Sequence, residues 1–356
     1  AGSFVILVSL AWYCAIAWTI ASPATTGPML GAVPVAVLTL ATLAVLAVRA
    51  CTLLRTQLLL GADRIVEELA ASRRCRSLEG IPPRELIEVV ADRVRRRADI
   101  RAYLAELFES PDRHMQPSAA SLLLAIDRAW RPTMRGQVLL SHAHLDSAEW
   151  SGVRLNGARL NGASLVRADL SKASLERCVC HFANFASADL HGAALERGRF
   201  SSAKLSGANL SFTRGESVRF LWAELEGANL RHAHLPKARF DSADLRRARF
   251  DHAAVSGAYF SGAKIGETSF AHANLEGAEL CRLDLRTAVL NGASLRGARL
   301  DFCNLEFVRI AGANLENASL VNALLSGSWM PGANFNGASL RGAGLAEYTA
   351  PAGPAG

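Results

Sequence analysis

Apolar residues fill the first 48 positions almost without a break, and no Lys, Arg, Asp, Glu or His precedes Arg49. Pro23, Thr25, Thr26, Gly27 and Pro28 divide this stretch into two apolar runs, about 3–21 and 29–48. Each run is close to the ~20 residues that carry a helix across the hydrocarbon core of a bilayer. Residues 1–48 therefore predict a two-span transmembrane hairpin. Trp12, Tyr13 and Trp18 suit an interfacial belt beside the first span, and Pro34 would kink the second, which membrane helices tolerate. The connecting loop is uncharged, whereas Arg49, Arg55, Arg64, Arg73, Arg74 and Arg76 follow the second run. The positive-inside rule then places everything after residue 48 in the cytoplasm. A leader cleaved near Ala24 would leave the second run as the anchor, with the same orientation.

The pattern changes to helical spacing over 49–137, which reads as a cytoplasmic helical linker and N-terminal cap. Leu53, Leu54, Leu58, Ile65, Val66 and Leu69 continue the second span as an amphipathic stretch. Pro82 and Pro83 break the chain and suit the first turn of a helix over about 84–110. Its apolar stripe is Leu86, Ile87, Val90, Val94, Leu104, Leu107 and Phe108. Arg93, Arg95, Arg96, Arg97 and Arg101 cover the other side, either as a solvated face or toward anionic lipid at the inner leaflet. A third helix, about 118–130, ends at Arg131-Pro132.

From Val138 to Glu347 the period is five. Every multiple of five from 140 to 345 is the centre of a unit, and of these 42 centres 27 are Leu and 8 are Phe. Two residues before each centre stands a small residue, Ala in 31 of the 42 units. On an α-helix, steps of five advance a side chain by ~140° beyond a full turn, which scatters the leucines around the axis. On a continuous strand five is odd, so successive leucines alternate faces. A chain that turns a corner once per unit keeps every centre inside, and four corners close a square. Residues twenty apart then stack. Phe200, Phe220, Phe240 and Phe260 are successive twenties and predict an aromatic ladder in the core, as do Phe250 and Phe270 on another side. At ~4.8 Å per coil the repeat makes a rod roughly 50 Å long.

Units such as Ala168-Asp169-Leu170, Ala208-Asn209-Leu210 and Ala313-Asn314-Leu315 resemble the pentapeptide-repeat family, whose units read Ala-(Asp/Asn)-Leu-x-x. The resemblance covers 138–347 and implies a mainly β fold, a right-handed quadrilateral β-helix, here preceded by two transmembrane α-helices and a short helical region. It also implies that the centre and the small residue point inward and the other three outward. The sequence departs from the family pattern at Gly215, where a centre is missing and a loose core is expected. It departs again at Leu283 and Val308, where a small position is enlarged, and at Cys178/Cys180. The layout is similar to that of membrane-anchored bacterial members, which implies the bacterial plasma membrane with the repeat on the cytoplasmic side. Residues 348–356 read as a flexible tail.

Composition sharpens this picture. Aromatics make up only 7% of the chain, which a narrow Leu/Ala-filled tube permits. Seven cysteines at irregular spacing form no disulfide framework, and the odd number suits a reducing compartment. There is no Gly-x-x-x-x-Gly-Lys loop, no His-Glu-x-x-His and no nucleophile elbow, so neither an enzyme nor a bound cofactor is expected. His142/His144 and His232/His234 point outward in pairs, and His232, His252 and His272 form a column twenty apart. With Asp251 as the only acid beside that column, surface histidines are expected rather than a metal site.

The formal charge of +7 invites a polyanionic partner. Some members of the family bind DNA topoisomerases by imitating the acidic outline of duplex DNA. That imitation requires an extended negative field, whereas residues 138–347 hold 23 Lys and Arg against 20 Asp and Glu. The acidic column Glu176, Glu196 and Glu216 has Arg177 and Arg197 beside it. Asp241 and Asp244 dilute the basic patch of Arg231, Lys237, Arg239, Arg246, Arg247 and Arg249, which argues against nucleic acid as the partner. The expected function is a membrane-anchored, non-enzymatic scaffold for a protein partner, with Arg199, Arg219, Arg239, Arg246, Arg247 and Arg249 as the candidate interaction surface. The rival expectation is a regulator of a DNA topoisomerase, or a nucleic-acid-binding protein, acting through the charged faces. A solenoid also needs capped ends, and the last coil, with Trp329 and Met330, is expected to pair with a partner or with a second copy as a homodimer.

Overall fold

The structure is a computed structural model that describes residues 32–71, 76–78, 80–110, 113–132 and 137–344. The expected first span and the expected tail lie outside the described residues. The chain divides into two units, Ala1–Glu67 and Glu68–Gly356. Helix α1 spans Ala32–Ala70 without a break. Leu, Ala, Arg, Gln and Glu dominate its second half and all favour the helix, so the end of the apolar run does not end the helix. Its Ala44–Ala70 portion is long and apolar enough to cross a membrane, with Val45, Leu46, Leu53, Leu54 and Leu60 exposed.

In the second unit three α-helices among the described residues precede the repeat: α2 over Arg84–Val94, α3 over Ala98–Glu109 and α4 over Gln116–Ile126. One helix was expected over 84–110, and the chain instead breaks at Arg97, whose backbone is extended (φ −92°, ψ 93°). Two causes act together. Arg93, Arg95, Arg96 and Arg97 repel one another at helical spacing. The buried residues also change phase, from Ile87, Val90, Ala91 and Val94 to Ile100, Leu104 and Phe108. A continuous helix would point Ile100 ~120° away from Val94, and the break returns both to the core. Asp99 then sits in the first turn of α3, where its charge favours the helix N-terminus.

Helix α4 is almost wholly buried and lies across the first coil. Leu139 donates its N–H to Gln116 Oε1 at 3.0 Å, His144 to Ser121 Oγ at 2.9 Å, and Glu149 to the Arg128 carbonyl at 3.1 Å. In the next coil the corresponding amides of Arg159, Ser164 and Asp169 donate to the carbonyls of Val138, Ala143 and Ala148. Gln116 and Ser121 stand five apart, as do Leu139 and His144. Helical side chains thus supply the acceptors that a preceding coil would have supplied. Beside them Phe108, Trp130 and Trp150 pack edge to face, with centroids 5.0 and 6.0 Å apart.

From Leu139 to Leu324 each residue preceding a centre, Lys264 excepted, forms a parallel bridge with the residue twenty further on. The bridges generate four walls, taken in chain order as the Arg199 wall, the Asp244 wall, the Asn209 wall and the His234 wall. Between walls a four-residue turn is closed by a bond such as Ala143 N–H to the Leu140 carbonyl, 3.1 Å. Its third residue has positive φ, the signature of a type II turn. Of the corner residues between His142 and Gly342, 16 glycines and 24 other residues adopt this left-handed conformation.

The Asp or Asn before a centre has a local task. Its Oδ1 accepts the N–H of the first corner residue, as Asp169 does from Ser171 (2.9 Å) and Asn229 from Arg231 (3.2 Å). This donor is unused by the ladder. Elsewhere an Asn or Asp one coil earlier takes it, as Asn161 does from His181 (3.1 Å).

Centres and small residues are buried inside the tube. Phe200, Phe220, Phe240 and Phe260 stack with centroids 5.3, 5.2 and 5.1 Å apart. Phe250 and Phe270 stack at 5.0 Å on the opposite side and meet the first ladder edge to face. The core at Gly215 is tight rather than loose. A Cβ there would lie 2.8 Å from the Leu195 carbonyl carbon and from Val218 Cγ2, because the backbone closes in and Val218 fills the missing centre. Val308 is buried, and its neighbour Arg309 keeps bridges to both adjacent coils.

Leu283 is not absorbed in this way. Among the described residues the bridge between Lys264 and Asp284 is missing from an otherwise regular wall. Leu283 needs more room than an alanine beneath that wall. Four residues later, at the next corner, β-branched Thr287 leaves the left-handed conformation and offers its Oγ1 to Glu267 N–H at 3.0 Å. Two predictions follow from these contacts. Gln116→Ala and Ser121→Ala should each lower stability by about 1–3 kcal/mol, read by chemical unfolding, since each strands a part-buried N–H. Hydrogen exchange should be faster at the amides of Ile265 and Asp284 than at Leu245, Leu285 and Leu305 on the same wall.

Candidate interaction surfaces of the solenoid

Outward side chains come from two sources: the middle of each wall and the corners. Because steps of twenty stay on one wall, each column alternates little in position and its charges sit about one strand spacing, ~4.8 Å, apart. Arg199, Arg219 and Arg239 occupy consecutive rungs of one wall. Arg239 pairs with Asp241 at 2.9 Å and lies over the Tyr259 ring at 5.9 Å. Arg199 and Arg219 have no carboxylate within ion-pair distance among the described residues.

The six arginines of the expected surface do not share one face. Arg249 stands on the Asn209 wall, opposite the Arg199 wall, because ten residues are half a coil. Arg246 and Arg247 occupy the corner between the Asp244 and Asn209 walls. These three are also neutralised locally: Arg246 by Asp244 (2.6 Å), Arg247 by Glu226, and Arg249 by Asp251 (3.6 Å). The Arg246 guanidinium in turn holds the Asp244 carboxyl below its ordinary range, through a hydrogen bond that outweighs partial burial. The acidic corner column is countered in the same way, since Lys237 bonds Glu216 at 2.7 Å and lowers its carboxyl, with Arg197 adding to the effect.

Large aromatic residues stand at corners, where sequence periodicity marks them only as outward. Phe182 is 72% exposed and Trp222 62%, both on the corner joining the Arg199 and Asp244 walls. Phe302 and Phe307 are exposed nearer the C-terminal end. On another corner Phe212, His232, His252 and His272 form a continuous stack with centroids 4.8, 5.1 and 5.1 Å apart. The His272 ring lies over Gly292, where a Cβ would collide with Nδ1. Parallel stacking turns these rings toward one another, and no cluster of three metal-ligating side chains exists among the described residues.

Cys178 and Cys180 are both inward and buried, with sulfurs 3.4 Å apart. Burial, with the neighbouring thiol, pushes Cys180 well above its ordinary value. Burial, helped by neighbouring Cys281 and Asp301, takes Cys303 up to about 12, and burial, helped by Asp301 and Glu279, also raises Cys281.

A four-walled tube of five-residue units, with its backbone bonded coil to coil, defines a β-solenoid whose exposed chemistry is carried by side chains. The Pentapeptide repeats family matches in 8 copies over residues 139–262 and 268–346, and the chain belongs to this family. Its members fold as right-handed quadrilateral β-helices. The interval 263–267 between matches coincides with the broken rung at Lys264.

Among solved structures, the chain is similar to HetL of the cyanobacterium Nostoc sp. strain PCC 7120, a pentapeptide repeat protein involved in heterocyst differentiation regulation. The two are 32% identical over 57% of this chain and 89% of that one, with a TM-score of 0.33. It is also similar to Rfr23 of the cyanobacterium Cyanothece 51142 (24% identity, 35% and 88% coverage, TM-score 0.18). QnrB1, a plasmid-mediated fluoroquinolone resistance protein, matches at 16% identity over 55% and 91%, with a TM-score of 0.22. The curated proteins contain no match.

The thiols give a direct check on the core. With Cys14, Cys51 and Cys75 changed to serine, Ellman's reagent at pH 8 should find at most Cys281 in the folded protein. Cys178, Cys180 and Cys303 should react only on unfolding.

Proposed function

We propose that the chain is a membrane-anchored, non-enzymatic scaffold that presents its solenoid to a protein partner on the cytoplasmic side of a bacterial plasma membrane. The observation that carries this reading is the way the solenoid spends its backbone. Peptide donors and acceptors along the walls are used between coils, which leaves rows of side chains, evenly spaced and rigidly held, as the means of recognition. The anchor is supported by the exposed apolar side chains of α1, and its orientation by Arg49, Arg55 and Arg64, which accompany the end of the apolar stretch. In this reading the first apolar run supplies a second span. A second copy of the chain is the homotypic partner, met through the last coil, where Leu340 is 36% exposed while the inward leucines below are covered.

The test is photo-crosslinking in cells from Ser202, at the corner beside Arg199, in the full chain. The expected result is a protein adduct in the membrane fraction that resists alkaline extraction and disappears with Arg199→Glu/Arg219→Glu. Recovery of the chain as a soluble protein would remove the anchor. Adducts confined to nucleic acid, or none, would remove the scaffold.

A further inference from the structure

We infer that the Arg199 wall is a seat for an acidic amphipathic α-helix of the partner protein, laid parallel to the solenoid axis. This rests on the scaffold reading and specifies its partner. The wall offers no free strand edge along its length, because Arg199, Arg219 and Arg239 each bridge the coils on both sides. A partner therefore cannot add a strand to it and must be met by side chains.

Charge and spacing define what fits. Arg199 and Arg219 are exposed, adjacent and without a carboxylate partner, with Arg239 one rung further and Arg159 two coils before Arg199. Stacked guanidiniums ~4.8 Å apart repel one another until an anion sits between them. A helix places one side chain per turn on a given line, every ~5.4 Å, at i, i+4 and i+7. Across the two rungs from Arg199 to Arg239 the wall advances ~9.6 Å and seven residues of helix ~10.5 Å, a difference that flexible arginine side chains absorb. A β-strand presents same-side residues every ~6.7 Å and would be out of step by ~3.8 Å over the same two rungs. The solenoid pitch therefore selects a helix among peptide conformations.

The apolar side of that helix also has a counterpart. Phe182 and Trp222 are two coils apart on the corner beside the arginines, again close to seven residues of helix. Both are fixed in direction by the left-handed corner backbone (φ 59° and 55°), so the row is preformed. A helix with an acidic stripe beside an apolar stripe would cover the arginines and the two rings together.

The probe is a fluorescein-labelled helical 14-residue peptide with Glu at positions 1, 5, 8 and 12 and Leu on the adjoining stripe. It is titrated against the full chain in lipid nanodiscs and followed by anisotropy. A scrambled peptide of the same composition and a single-stranded oligonucleotide of the same length serve as comparisons. The expected result is at least tenfold tighter binding of the patterned peptide than of either comparison. Arg199→Glu/Arg219→Glu should abolish that preference, Trp222→Ala should weaken binding severalfold, and higher salt should also weaken it. Circular dichroism of these surface variants checks that the solenoid stays folded.

Equal binding of both peptides, tighter binding of the oligonucleotide, no binding, or indifference to Arg199→Glu/Arg219→Glu would each overturn the inference. If the peptide fails while crosslinking from Ser202 still captures a protein dependent on Arg199 and Arg219, the scaffold reading stands and the helix is wrong.

Discussion

At 40 of the 41 corners from His142 to Gly342 one residue adopts the left-handed backbone conformation, and the architecture hangs on that requirement. For residues other than glycine this conformation costs about 1–2 kcal/mol, and 24 of them adopt it here. No single turn is stable on those terms. The corners persist because each holds the next wall in register with the coil beneath, where bridges, buried leucines and alanines, and stacked phenylalanines offset the local cost. The ladder needs the corners to close the tube, and the corners need the ladder to survive.

This mutual dependence explains where the fold ends and where it falters. At the N-terminal end there is no lower coil, and Gln116, Ser121 and the Arg128 carbonyl take its place as acceptors. At Lys264 and Asp284 an oversized inward residue and a β-branched corner residue flank the same short wall segment, and a rung is lost. An enlarged small position does not by itself have this result, since Val308 enlarges one without losing a bridge.

Much of this was legible in the amino-acid order because a period of five permits few geometries. The walls, the inward positions, the phenylalanine ladder and the histidine column all follow from counting in twenties. What escaped depends on three-dimensional packing that the period does not encode. Gly215 reads as a gap, yet the backbone can approach the coil below and Val218 can swing into the space. The break at Arg97 reflects a change of phase between two short apolar stripes. The cap residues Gln116 and Ser121 look like ordinary helix residues, and only their five-residue spacing, matched to Leu139 and His144, betrays the task. The arginines read as one basic patch along the chain, although Arg239 and Arg249 are half a coil apart and face opposite directions. The corner aromatics Phe182 and Trp222 do carry a signal in the sequence: bulky rings at outward positions, with nothing in the repeat to bury them.

The closed square has a consequence for how such a surface changes over time. Removing or adding one five-residue unit preserves every inward position downstream, so the tube still closes. It also rotates everything beyond that point by a quarter turn relative to what precedes it. A column such as Arg199, Arg219 and Arg239 would be cut and its upper part carried to a neighbouring wall, with no side chain altered. Surface chemistry in this fold is therefore inherited as a phase as well as a composition, and whole faces can be dealt anew by one in-frame event of fifteen nucleotides.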